Sequence, residues 1–263
     1  MTPPTSRGLE LAAIARRTSE AAGALIRSMG SPKDVSHKGT VDLVTEVDVA
    51  SEREVRRLLA EATPDIPVLA EEGGGAGKGT RWIVDPLDGT TNFVHGYPAY
   101  AVSIGCEVEG TVVAAAIHDV VNERTYWAAR GEGAWCGERH LQVSAVPTLG
   151  EALLVTGFAP DRRERAAFYA RMVEAFLARG QCIRRGGAAS LDFCLLADGR
   201  LDGYWELGLK PWDVAAGILI VEEAGGSVTD AAGRPVDVDR PEVVASNGRI
   251  HDEMRSVLEP LLW

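Results

Sequence analysis

Apolar residues recur at helical spacing in the first segment of the chain, at Leu11, Ile14, Ala15, Ala22, Leu25 and Ile26. The pattern predicts a helix over residues 6–29, with Gly30 as its stop. Thr45–Asp48 forms a predicted capping box, in which the Thr hydroxyl and the Asp carboxylate satisfy free backbone amides. We therefore expect a second helix to begin there and to end before Pro64.

After Pro64 the pattern changes to short apolar runs, which are typical of strands. The predicted strands of this part cover residues 66–70, 82–84, 100–108, 112–118 and 124–129. Glu109 and Gly110 separate two of these runs and predict the turn of an antiparallel hairpin. The first part of the chain is therefore expected to hold an antiparallel sheet.

Strands and helices alternate in the rest of the chain. The predicted strands lie near 153–156, 182–184, 201–206, 226–229 and 242–245. The predicted helices lie near 162–179, 188–197 and 212–224, and a last one begins at Asn247. We expect an α+β half over residues 1–150 and an α/β half over residues 151–263, joined in one compact unit.

Composition narrows the class of protein. The chain has 263 residues, of which 46% are hydrophobic, and carries a net charge of −11. This negative charge argues against a general nucleic-acid binder. It suits an enzyme of anionic substrates only if carboxylates hold divalent cations, because the bound ions reverse the local charge. No apolar run is long enough for a transmembrane helix. Residues 1–7 lack the apolar core of a signal peptide, so a cytoplasmic location is expected.

The strongest chemical signal is the block Asp85–Asn92, directly after an apolar run. Because Pro86 cannot continue a ladder, we expect the strand to end at Asp85 and to place this carboxylate at the sheet edge. Asp85 and Asp88 would then flank a turn and could bind one ion or two neighbouring ions. The amides of 89–91 could converge on a phosphate at a helix start.

Two further acidic segments complete the candidate site. Glu71 and Glu72 follow a predicted strand, and only one of these adjacent side chains can face a shared site. Asp213 follows Pro211 in the first turn of a predicted helix. Oxygen ligands without His or Cys favour magnesium or manganese over zinc. Two such cations could polarise a phosphoryl oxygen and orient an attacking water, whose proton Thr45, Asp48 or Thr90 could accept.

These segments together resemble the inositol monophosphatase family, within the larger group that includes fructose-1,6-bisphosphatases. The resemblance rests on the segments 41–45, 71–73, 82–98, 131–134, 187–190, 204–206 and 211–217, and it is closest to bacterial members. It implies a layered αβαβα sandwich, a homodimer, lithium sensitivity and hydrolysis of a small-molecule phosphomonoester by direct attack of water. Membrane and nucleic-acid partners are not implied.

The resemblance also implies the metal ligands. Glu71, Asp85 and the backbone carbonyl of Leu87 would hold a first Mg²⁺. Asp85, Asp88 and Asp213 would hold a second. A weaker third ion would lie near Glu71, and Mn²⁺ could substitute for Mg²⁺.

Further roles follow from the resemblance. Thr90, supported by Asp48, would help Glu71 to activate the attacking water. Substrate contacts are implied for Asp88, Gly89, Thr90, Thr91, Ala189 and Glu206. Lys38 and Asp42 would belong to a loop that closes over the site.

Several functions remain open. The metal ligands would serve fructose-1,6-bisphosphate, adenosine 3′,5′-bisphosphate or histidinol phosphate equally well, although Glu206 with the 187–190 turn favours a polyol phosphate. A non-enzymatic alternative is an interaction protein of the transcription machinery. We interpret the basic run 162–165 as a solvated helix face. Arg184 and Arg185 precede a glycine turn near the proposed site, and for them a substrate or dimer role and a purely structural role both stay open.

Overall fold

The computed structural model describes residues 5–37, 43–75 and 77–262. Its helices are α1 (Thr5–Met29), α2 (Glu46–Ala62), α3 (Thr90–His95), α4 (Ala166–Leu177), α5 (Ala189–Ala197), α6 (Pro211–Glu223) and α7 (His251–Leu262). Its first strands are β1 (Val35–His37), β2 (Leu43–Thr45), β3 (Val68–Ala70), β4 (Arg81–Asp88), β5 (Ala101–Val108), β6 (Thr111–Asp119) and β7 (Arg124–Ala129). The remaining strands are β8 (Ala134–Cys136), β9 (Arg139–His140), β10 (Leu153–Thr156), β11 (Cys182–Arg184), β12 (Gly203–Leu207), β13 (Ser227–Thr229) and β14 (Glu242–Ser246).

The strands form two large sheets and one small hairpin. The first sheet has the order β3-β4-β5-β6-β7-β8-β9 and is antiparallel apart from the parallel pair β3–β4. The second has the order β11-β10-β12-β14-β13, and its strands β11, β10 and β12 are parallel. The strands β1 and β2 pair with each other.

Helices cover both faces of both sheets. The helices α1 and α2 pack on one face of the first sheet, and α6 packs on its other face. The helices α5 and α6 lie against each other and also contact the second sheet, while α7 packs on that sheet and against α4. The layered αβαβα fold expected from the sequence is therefore confirmed.

Burial on both faces explains the apolar runs of the first sheet. In β4, Trp82 and Val84 pack towards α1 and α2, whereas Ile83 packs into the central core with α5 and α6. A strand that is covered on both sides has no solvent-facing positions, so its sequence reads as a continuous apolar run. Close packing of the two central helices requires Gly217, since a Cβ there would lie 2.3 Å from Phe193.

The predicted start of α2 is confirmed. Thr45 is the N-cap, and its side chain accepts from the amide of Asp48 while the Asp48 carboxylate accepts from the amide of Thr45. The stop of α1 is also confirmed: Gly30 has φ 69° and donates to the carbonyl of Ile26. Glu109 (φ 49°) and Gly110 (φ 81°) turn the predicted hairpin between β5 and β6.

The expectation that the strand ends at Asp85 is wrong. The strand β4 continues to Asp88 and lies between β3 and β5, so Asp85 is not at a sheet edge. The ladder with β5 is irregular between Asp85 and Asp88, which leaves Pro86 without a ladder partner. A bulge at this place accommodates the missing N–H of proline, and the free Pro86 carbonyl accepts a hydrogen bond from the hydroxyl of Ser51 at 2.7 Å.

Other element boundaries also differ. A short 3-10 turn, Pro160–Arg163, precedes α4, so Arg162 does not lie on the predicted helix. The last helix begins at His251, because the Asn247 side chain accepts from the amides of Arg249 and Ile250 in a turn before it. Among the described residues, no helix is long and apolar enough to cross a membrane. The division of the chain near residue 150 stays a prediction.

Candidate active site

A cavity of about 590 Å³ lies where the two sheets meet. The carboxyl ends of the parallel pair β3–β4 supply Glu71 and Asp88 to it, and the second sheet supplies Glu206 from β12. The carboxyl ends of parallel strands are common ligand sites in α/β folds, because the loops there converge at one edge of the sheet. The sequence-predicted carboxylates are therefore brought to one cavity.

The acidic end of this cavity is formed by Glu71, Asp85, Asp88 and Asp213. Burial, with the nearby charges of Glu71, Asp88 and Asp213, raises the pKa of Asp85 well above its usual range. Burial also raises the pKa of Asp88 to about 6. The pKa of Asp213 is raised by burial and by the charge of Asp88. Carboxylates that repel each other in this way are stabilised when a cation binds between them.

The donor set fits a hard divalent cation. All of these side chains offer oxygen, and the described residues that line the cavity include neither His nor Cys. Mg²⁺ and Mn²⁺ prefer such oxygen ligands. In the part of the chain that the structure describes, no three His, Cys, Asp or Glu side chains are already gathered into a metal-binding group.

The bulge in β4 shapes the turn between the two aspartates. The amide of Leu87 donates to Oδ1 of Asp85 at 3.0 Å. The carbonyl of Leu87 accepts from the hydroxyl of Thr90 at 3.1 Å, and Leu87 lines the cavity. The irregular ladder thus places Leu87 at the cavity, with its carbonyl beside Thr90.

Thr90 and Asp48 are in direct contact, as the resemblance implies. The hydroxyl of Thr90 donates to Oδ1 of Asp48 at 2.8 Å. The other oxygen, Oδ2, accepts from both the amide and the hydroxyl of Thr45. Asp48 is buried, and burial raises its pKa. The capping box of α2 therefore also holds the carboxylate that orients Thr90.

The short helix α3 begins inside the cavity. Gly89 precedes it with φ 90°, and a Cβ at this position would lie 2.8 Å from the carbonyl oxygen of Ala99. Only glycine accepts such a backbone without strain. The first amides of a helix have no intrahelical acceptor, so those near Thr90 and Thr91, which line the cavity, can serve a ligand. The Asn92 amide group fixes the helix through bonds to the carbonyls of Ala99 and Gly186.

The opposite wall contains the predicted substrate contacts Ala189 and Glu206. The hydroxyl of Tyr204 donates to Oε2 of Glu206 at 2.7 Å, yet burial raises the pKa of Glu206 to about 7. Gly157 makes room for this carboxylate, because a Cβ there would lie 2.1 Å from it.

The structure adds residues that sequence reasoning missed. Ser190 donates from its amide and its hydroxyl to Oδ2 of Asp88. Asp192, two residues further along α5, is buried and lines the cavity. Burial and the charge of Glu206 raise its pKa. Ser190 and Asp192 follow Ala188–Ala189 in α5, so the segment that carried the family resemblance was the available signal.

Basic residues line the same cavity from the second sheet. They are Arg162, Arg185 and Lys210. The interpretation of Arg162 as part of a solvated helix face is wrong, because the turn before α4 directs it to the cavity. Trp212 is half-buried at the cavity and also packs against the central core. The predicted loop residues Lys38 and Asp42 lie outside the described residues.

Comparison with known proteins identifies the family. The model of the inositol monophosphatase family matches residues 9–260. The Nus factor SuhB of Pseudomonas aeruginosa is 40% identical over 259 residues, which cover 95% of this chain and 96% of that protein. The inositol-1-monophosphatase of Synechocystis is 40% identical over 250 residues, covering 93% and 87%. The inositol monophosphatase structure from Anabaena superposes with a TM-score of 0.87 at 38% identity and covers 95% of each chain.

The sequence matches span nearly the whole chain, and the fold agrees with them. The carboxylates, the glycine-started helix and the substrate wall lie in one cavity, as a phosphatase requires. This chain belongs to the inositol monophosphatase family of metal-dependent phosphatases.

Proposed function

We propose that this protein is a Mg²⁺-dependent phosphomonoester hydrolase that acts on inositol-1-phosphate or a related polyol or sugar phosphate. The observation that carries the proposal is the joint placement of four acidic side chains and Glu206 in one cavity. The acidic side chains suit metal ions, and Glu206 suits substrate hydroxyls. The relatives named inositol-1-monophosphatase support the same activity.

Two ions would be held by the acidic end. Glu71, Asp85 and the Leu87 carbonyl would hold one, and Asp85, Asp88 and Asp213 the other, with a weaker third ion near Glu71. When bound, such ions polarise the phosphoryl oxygen, orient the attacking water and stabilise the leaving oxygen. Mg²⁺ is proposed and Mn²⁺ is a substitute, because both prefer oxygen ligands.

The chain's own residues would position the water and move its proton. The single proton of the Thr90 hydroxyl is shared between Asp48 and the Leu87 carbonyl, and the contact to Asp48 is the shorter. Its oxygen lone pairs are thereby turned away from these acceptors and can receive a hydrogen bond from water. Asp48 would fix this orientation, and Glu71 would act with Thr90 as the base.

The remaining contacts would bind the substrate. Amides at Gly89, Thr90 and Thr91 would hold the phosphate at the start of α3, while Asp88 would lie beside it. The Glu206 carboxylate would accept hydrogen bonds from the ring hydroxyls of the substrate. The backbone at Ala189 would also form hydrogen bonds with these hydroxyls. Water would attack directly, so no phosphoenzyme is expected.

The test is phosphate release from inositol-1-phosphate, fructose-1,6-bisphosphate, adenosine 3′,5′-bisphosphate and histidinol phosphate, each with Mg²⁺ and with chelator. We expect Mg²⁺-dependent release, led by a polyol or sugar phosphate and inhibited by Li⁺. Release led by adenosine 3′,5′-bisphosphate or histidinol phosphate would replace the substrate class. No release from any of them would reject the proposed activity. Gel filtration of the same sample tests the proposed homodimer.

A second candidate function is binding to the transcription machinery. The relatives named Nus factor SuhB, among them the protein at 40% identity over nearly the whole chain, favour it. The test is pull-down of RNA polymerase by the wild type and by the double variant Asp85→Asn, Asp88→Asn, which should lack activity. Binding by both proteins supports an independent second function, whereas no binding by the wild type rejects it.

A further inference from the structure

The basic residues of the cavity share one structural position. Arg162, Arg185 and Lys210 each follow a parallel strand of the second sheet, namely β10, β11 and β12. These strands are neighbours in the order β11-β10-β12, so their carboxyl ends lie side by side. Three elements far apart in the sequence thus place a cationic side chain at one end of the cavity.

None of the ion pairs among the described residues includes these three cations, although the charge of Arg185 acts on the buried carboxylates of Glu206 and Asp192 and opposes the rise of their pKa values. Arg162 donates only to the carbonyl of Ala159, at 3.3 Å. Arg185 lies 6.0 Å above the ring of Phe158. The chain carries 38 acidic residues and only 27 Lys and Arg, and most of its other arginines are paired. Arg185 and Lys210 are exposed and Arg162 is half-buried, and what sets the three apart is that they line one cavity.

The cavity consequently has two ends of opposite charge. The first sheet supplies the carboxylates that the proposed function assigns to metal ions and to the phosphate that is cleaved. The second sheet supplies the cations, with Glu206 also on that side. A volume of about 590 Å³ is within the range of sites that enclose a whole metabolite-sized ligand.

We infer that Arg162, Arg185 and Lys210 form a second anion subsite, which makes sugar or polyol bisphosphates the preferred substrate class. The inference rests on the proposed phosphatase function. The phosphate at the acidic end is hydrolysed: the water oxygen bonds to phosphorus, the ester P–O bond breaks and the alcohol oxygen takes a proton. The other phosphate stays on the product and is held by the guanidinium and ammonium groups.

The experiment uses two substrates that differ only in the second phosphate. Fructose-1-phosphate and fructose-1,6-bisphosphate carry the same scissile group at carbon 1. The measured quantity is the ratio of kcat/KM for the bisphosphate to kcat/KM for the monophosphate, with Mg²⁺ at fixed ionic strength. The wild type should give a ratio of at least about 10, since a hydrogen bond to a charged group changes affinity by about this factor.

The variants are Arg162→Gln, Arg185→Gln and Lys210→Gln, each measured with both substrates. Each should lower the ratio by about 5- to 10-fold through a higher KM for the bisphosphate, and leave kcat/KM for the monophosphate within about 3-fold. The matched control is Arg163→Gln. Arg163 is the next residue in the same turn but is exposed and does not line the cavity, so its ratio should equal that of the wild type.

The outcomes separate this inference from the proposed function. A wild-type ratio near 1, or variants that lower kcat/KM equally for both substrates, would overturn the subsite and leave the phosphatase intact. An equal effect of Arg163→Gln would show general charge attraction and would also overturn it. No release from either fructose phosphate or from inositol-1-phosphate would instead reject the phosphatase activity itself.

Discussion

The amide and the hydroxyl of Ser190 both donate to Oδ2 of Asp88, at 2.8 and 2.5 Å. The contact joins the end of β4 in the first sheet to the first turn of α5, which packs against the second sheet. These hydrogen bonds favour the ionised form of Asp88 and so oppose the effect of its burial. A carboxylate proposed as a metal ligand is therefore oriented from the opposite side of the cavity.

Substitution Ser190→Ala removes the hydroxyl donor and keeps the amide donor. We expect an apparent Mg²⁺ affinity about 10-fold lower, because loss of an outer hydrogen bond to a metal ligand typically costs this much or more. The measurement is the Mg²⁺ dependence of phosphate release. Ser19→Ala is the control, since Ser19 is equally buried in α1 and does not line the cavity. Unchanged Mg²⁺ dependence in Ser190→Ala would contradict the orienting role.

Substitution Asp213→Asn tests the second metal ligand. The amide of Lys210 donates to Asp213 at 2.7 Å, and an Asn oxygen can accept the same bond, so the start of α6 should be preserved. Turnover should fall by about 10³-fold, because several kcal/mol of charge stabilisation by the ion is lost. Circular dichroism and thermal unfolding check the fold.

The control for this variant is Asp252→Asn, which changes an acidic residue in the first turn of α7. Asp252 has 94% of its side chain exposed and lies outside the cavity. Its activity should remain at the wild-type level. Retention of activity in Asp213→Asn would reject the metal assignment.

Local signals made much of this molecule predictable. The capping box of Thr45 and Asp48 involves residues that are adjacent on one turn, so its sequence pattern was sufficient. The turn at Glu109 and Gly110 is local as well. The continuous apolar runs of the first sheet predicted strands correctly, because two covering layers leave those strands no polar face.

Features that depend on distant parts of the chain were not predictable in the same way. The passage of β4 through Pro86 depends on a bulge in its pairing with β5. Ser190 and Asp88 are 102 residues apart, and no spacing rule connects them. The helix α3 spans only Thr90–His95, too short for an apolar period to appear. The candidate carboxylates were predicted from their motif. Of the cations opposite them, Arg185 was considered from the sequence, whereas the places of Arg162 and Lys210 at the cavity emerged only from the fold.

The raised pKa values predict an unusual pH dependence of stability without metal. Burial raises the pKa of Asp88 to about 6 and those of Asp85 and Asp213 well above their usual range. In the unfolded chain these groups titrate near pH 4. Between pH 4 and these raised pKa values, the folded state therefore binds more protons than the unfolded chain. This contribution to the free energy of unfolding is lost as the pH rises through about 6 and beyond.

Thermal unfolding in chelator measures this effect when the wild type is compared with Asp88→Asn. The two proteins should unfold at similar temperatures at pH 5. At pH 7.5 the variant should be more stable by about 5 °C, since it lacks the repelling charge. Added Mg²⁺ should reverse the order at pH 7.5, because only the wild type keeps the ligand. A variant that is less stable than the wild type in chelator at pH 7.5 would contradict the repulsion.

The hydroxyl of Thr90 is the group most directly proposed to handle the water's proton, and three substitutions separate its role from packing. Thr90→Val keeps the shape but removes both donations, to Asp48 and to the Leu87 carbonyl. Its kcat should fall by at least about 10²-fold with little change in KM, as expected for a proton-transfer group. Thr90→Ser keeps the hydroxyl and should stay within about 10-fold of the wild type. Thr45→Val removes a different donor to Asp48. This variant should reduce kcat less than Thr90→Val, because the hydroxyl of Thr90 still faces the water. An equal loss of kcat in both variants would assign the effect to Asp48 instead.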